Sequence, residues 1–109
     1  MDAIINSPFV DFVEGLFQGK AAQIKSEYGD FDFVWFDCGG NQEYKDFLEE
    51  YWSLCCGYIF FHFTYSGGIP NLNMDAIMTK VENEPFKIDI VEPHKTRQGS
   101  ITIVKKQLV

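Results

Sequence analysis

Residues 31–64 constrain this chain more than any other stretch: FDFVWFDCGG, then NQEYKDFLEEYWSLC, then CGYIFFHFT. Phe31–Phe36 is a short, almost continuously apolar and aromatic run. Bounded by Gly29-Asp30 and by Asp37-Cys38-Gly39-Gly40, it fits a strand covered on both faces. Residues 58–63 repeat the signal. Between them Tyr44, Phe47, Leu48, Tyr51, Trp52 and Cys55 recur at i, i+3, i+4, i+7, i+8 and i+11, the stripe of an amphipathic helix. Asn41 is its expected cap and Gly57 its expected stop. A helix of about 15 residues between two buried strands rules out a hairpin, so the strands run parallel through a right-handed crossover. The fold class is α/β.

The flanking stretches extend this unit. Ser7-Pro8 reads as a cap and first-turn proline. Phe9, Phe12, Val13 and Leu16 keep helical spacing, although residues 12–18 suit a short strand equally well. The expectation is a helical turn from Pro8, a short strand near Leu16, and a short helix through Ala21, Ile24, Lys25 and Tyr28. SGGIPNLN, residues 66–73, is loop by composition. Asn73 then caps a helix with the stripe Met74, Ile77, Met78 and Val81, ended by Pro85. Ile88, Ile90, Ile101 and Ile103 alternate with polar or smaller residues and are expected to face the core. The nine residues EPHKTRQGS between these segments are too few for a crossover helix, so an antiparallel hairpin follows. The sheet therefore has three parallel strands and a reversed last strand, expected beside residues 58–63.

One domain accounts for 109 residues. Eleven Phe among an aromatic share of 17% argue for a packed core. The net charge of −7 argues against a surface that tracks nucleic-acid phosphates; Lys95, Arg97, Lys105 and Lys106 form only a thin basic cluster. Cys38, Cys55 and Cys56 show no CxxC and read as reduced thiols of a cytoplasmic protein. The acidic start MDAIINSPFV is no secretory signal, and no apolar run reaches the roughly 20 residues that span a bilayer.

FDFVWFDCGG, GYIFFHFTYS and FKIDIVEPHKTRQGSITIVKK together resemble the C-terminal half of a class I S-adenosylmethionine-dependent methyltransferase, from its fourth strand to its closing hairpin. VEGLFQGKA resembles the third strand and following turn, with Lys20 where many members carry an adenine-contacting acid. The resemblance implies a partial Rossmann-like sheet over residues 1–109, methyl transfer to a small-molecule acceptor, and S-adenosylmethionine as cofactor of the complete domain. The family's glycine-rich turn and ribose-gripping carboxylate have no counterpart here. The chain is thus expected to be a fragment or a truncated reading frame, to bind no cofactor alone, and to form a homodimer or pair with a missing N-terminal half.

Asp37 and Thr64 end the two clear strands, about 4.8 Å apart if they are neighbours, where open α/β sheets bind ligands. The resemblance places Asp37 beside the transferred methyl group. Asp37 and His62 are the catalytic candidates, and Asp37 and Thr64 the substrate-binding ones. The plainer readings are a turn carboxylate for Asp37 and a neutral core histidine for His62. Two such ligands make no metal site. Gly39-Gly40 reads as a turn before an anion cradle, and His94 and Lys95 as solvated residues of the hairpin turn. No Ser-His-Asp spacing occurs.

Overall fold

A computed structural model describes residues 10–95 and 99–106. Its elements are α1 (Ala21–Tyr28), β1 (Phe31–Phe36), α2 (Asn41–Tyr51), a 3-10 turn (Trp52–Leu54), β2 (Cys55–His62), β3 (Tyr65–Ser66), β4 (Ile69–Pro70), α3 (Leu72–Val81), β5 (Phe86–Val91) and β6 (Ile101–Lys106). The four longer strands form one mixed sheet in the order β1-β2-β6-β5. β1 and β2 are parallel, and β6 is antiparallel to both β2 and β5. β5 therefore points the same way as the first two strands, and the last strand is inserted beside β2 as expected. β3 and β4 form a separate small hairpin within the stretch read as loop.

Both longer helices pack on one face of the sheet. The α2 stripe buries Tyr44, Phe47, Leu48 and Tyr51, and its rings meet Phe36 and Phe61 of the sheet. Phe47 stacks on Phe36 at 4.2 Å, and Tyr44 meets it edge-on at 4.9 Å. α3 adds Met74, Ala76, Ile77 and Val81 to the same core. α1 follows the sequence reading, with Ala21 buried and Ile24 packed against the core.

Several local expectations are corrected. Gly57 does not stop α2 but lies inside β2, where an added Cβ would come within 2.2 Å of the Asp32 carbonyl oxygen. That close backbone approach coincides with the register shift between Phe31 and Phe33, and only glycine fits it. The helix ends at Tyr51 because the 3-10 turn already redirects the chain into β2. Gly40 is the residue before α2, and its N–H donates to Glu43 Oε1 at 3.2 Å. Asn41 instead donates from Nδ2 to the Leu72 carbonyl. Asn71, not Asn73, caps α3, its Oδ1 accepting from the backbone N–H of Asn73 and Met74. No strand forms near Leu16: residues 10–20 are irregular, and Phe17 is their anchor, packed on Phe36, Phe47 and Tyr51. The helical turn expected from Pro8 begins outside the described residues.

The β6 face is inverted relative to expectation. Thr102 and Val104 are fully buried, whereas Ile101 and Ile103 are half-buried on the opposite face. Directly paired residues share a face. Ile88 pairs with Val104 and Ile90 with Thr102, so the β5 isoleucines do lie on the core side. The opposite face of the sheet carries Phe33, Trp35 and Tyr58 exposed, with Phe60 and His62 half-buried. Among the described residues no helix covers it, so β1 is apolar apart from Asp32 without being covered on both sides. No described helix is long and apolar enough to cross a membrane.

Candidate functional site

The parallel strands β1 and β2 end side by side, and the chain leaves β1 through Asp37. Residues alternate faces along a strand, so Asp37 continues the open-face series of Phe33 and Trp35. His62, at the end of β2, lies on the same face. The two expected catalytic residues come together: Asp37 Oδ1 is 3.3 Å from His62 Nδ1. The Trp35 ring stacks on the imidazole at 5.9 Å between centroids and 28° between planes.

From the other side of the sheet, the Tyr44 hydroxyl donates to the His62 carbonyl oxygen. Burial, and then the nearby Asp37 and Cys38, hold the Tyr44 phenol above the ordinary tyrosine range. It therefore remains a donor and fixes the end of β2. Asp37, Cys38, Glu43 and Trp35 border an open crevice of about 560 Å³, closed on its far side by residues 15–18. Glu43 faces Gly39 and Gly40. An added Cβ on Gly39 would meet its carboxylate at 2.2 Å, and Gly40 already donates to it. The glycine pair is a helix-start turn occupied by the chain's own carboxylate, and it offers an anion nothing.

Thr64 is placed differently from its neighbours. It is fully buried, its hydroxyl 2.6 Å from that of Thr102, which in turn reaches Met74 Sδ. Its backbone N–H donates to Ser100 Oγ. The strand end turns inward here because Phe63 adopts the left-handed region at φ 56, an arrangement that needs surrounding support. That support comes from Asn71 and Asn73, whose amides both donate to the Phe63 carbonyl at 3.0 Å. Ser100, Asn71 and Asn73 thus form a lock under the site, of which the sequence reading named only Asn73, and that as a helix cap. Their only signal is a run of short polar residues beside loop glycines, which reads equally well as solvated loop.

His94 and Lys95 are exposed in the hairpin turn, but the Lys95 and Pro93 carbonyls accept from Gly67 and Gly68 and tie that turn to the β3–β4 hairpin. Arg97 lies outside the described residues. Lys106 is committed to Trp52, donating to its carbonyl at 2.7 Å and lying over its ring at 4.8 Å. Cys38 and Cys56 are exposed free thiols, and burial pushes the Cys55 thiol up. Among the described residues no three His, Cys, Asp or Glu side chains gather as a metal site. No known protein family, curated protein or solved structure matches this chain.

Proposed function

We propose that this chain is the C-terminal part of an S-adenosylmethionine-dependent methyltransferase domain acting on a small acceptor, and that by itself it does not catalyse. One observation carries the reading: a reversed last strand inserted between two strands of like direction, in the order β1-β2-β6-β5. That order is compatible with the closing half of the sheet the sequence resembles, and Asp37 follows a carboxyl strand end beside an open crevice. On this reading Asp37 and His62 stand on the acceptor side. The carboxylate orients the imidazole, and the imidazole receives a proton from an acceptor hydroxyl or amine. Thr64, buried, holds the strand end rather than touching acceptor. The residues present do not fit the cofactor: no glycine-rich turn follows a first strand, and the one glycine pair near the site is filled by Glu43. The complete domain would take that group from residues outside this chain.

The uncovered aromatic face favours a second reading, in which the stretch is a non-catalytic remnant that serves association. Extending the chain upstream in its genomic frame separates the two. The first reading expects an in-frame strand followed by a GxGxG turn, and an extended protein that transfers methyl groups and loses that activity on Asp37→Ala. An extension without such a turn, or an active extended protein indifferent to Asp37→Ala and His62→Ala, would overturn it.

A further inference from the structure

We propose that β1 is a docking edge for a second copy of this chain, the two β1 strands pairing antiparallel about a twofold axis at Val34. The inference stands on the sheet edge alone and requires neither reading of function. β1 is an outer strand, laddered to β2 on one side. Among the described residues no backbone hydrogen bond from residues 10–19 reaches its other side. An open groove of about 670 Å³ runs there, between β1 and a wall that includes Leu16, Ile24 and Tyr28 together with the charged Asp11 and Lys20. Proteins usually blunt such an edge with Lys, Pro or a covering segment. FDFVWF contains neither Lys nor Pro.

Self-complementarity selects the occupant. With Val34 on the axis, Phe33 pairs with Trp35 and Asp32 with Phe36, and each pair occurs twice. The Phe33–Trp35 pairs fall on the open face beside Phe60, whose ring lies 4.7 Å from Phe33 and 6.4 Å from Trp35 within one chain. An aromatic row thereby continues across the axis. Asp32, the strand's one charge, sits four residues along from its own copy. At a rise of about 3.3 Å per residue that is about 13 Å, past the screening length of about 8 Å at physiological salt. Around the axis Phe33, Trp35, Tyr28 and Leu16 are 55%, 47%, 43% and 77% exposed. With aromatic side chains burying about 150–250 Å² each, these residues and the strand backbone offer on the order of 500 Å² per copy. A standard interface takes about 800 Å² per partner, so the patch falls short of that size and suits a weak, concentration-dependent homodimer.

Sedimentation at micromolar concentrations, together with amide hydrogen exchange at a low and a high concentration, tests the proposal. The expected result is a concentration-dependent dimer in which β1 amides exchange more slowly at high concentration. Phe33→Lys, with an unchanged circular dichroism spectrum, should weaken the dimer by about tenfold or more. A wild-type chain that remains monomeric overturns the proposal. So does a dimer whose β1 amides exchange equally at both concentrations, since association would then run through the open face or elsewhere. The exchange comparison uses only the wild-type chain and decides the matter even where Phe33→Lys fails to fold.

Discussion

Thr64 and Thr102 are two hydroxyls sealed from water and satisfied chiefly by each other, 2.6 Å apart. Removing one partner strands the other; removing both leaves a matched apolar pair. Thr64→Val should therefore cost about 1–3 kcal/mol in urea unfolding, and Thr64→Val with Thr102→Val should recover most of that loss. Tyr44 gives a pH test. Its phenol is held above the ordinary range, so between about pH 10 and the folded-state value the unfolded chain releases a proton that the folded chain keeps. Stability then falls as pH rises, by about 1.4 kcal/mol per unit from this group. Tyr44→Phe should flatten that part of the alkaline slope, read from urea midpoints on either side of about pH 10. At this scale the sequence was only half legible. Strand ends set Asp37 beside Thr64, whereas the residue that meets Asp37 is His62. The same logic misplaced Thr64, because alternation says which way a side chain points along a regular strand and Phe63 leaves that regularity.

Among the elements, the crossover, α3 and the closing hairpin all follow from hydrophobic periodicity, which was strong over each of them. The face of β6 did not follow. ITIV is β-branched at every position, so a period of two fits either phase equally. The pairing of Ile88 with Val104 chooses the phase, and hairpin register is not visible in composition. The consequence is a pair of opposite outcomes from the same substitution. Val104→Lys buries an unpaired charge against Ile59 and Ile88 and should abolish cooperative thermal unfolding. Ile103→Lys places its ammonium on the open face across from Asp89 and should leave the chain folded, at a cost of about 1 kcal/mol or less. Equal damage from both would mean that the open face is covered in solution. Gly57 carries the same lesson: a glycine after a helical pattern reads as a stop, and only the paired strand shows the backbone it must admit.

At the scale of the whole molecule, the four longer strands and two longer helices among the described residues make a one-sided layer with a closed core and an open aromatic face. From the sequence β1 reads as buried on both sides, since a run of Phe, Val and Trp looks the same whether or not a second layer arrives. On the proposed function the candidate site is half built. Asp37 and Trp35 stand at a crevice and both contact His62 with defined geometry, while nothing among the residues of this chain supplies the glycine-rich turn that would hold a methyl donor. Calorimetric titration of S-adenosylmethionine into the 109-residue chain tests this most directly. The expected result is no saturable heat at micromolar concentrations; a micromolar dissociation constant for this chain alone would contradict it.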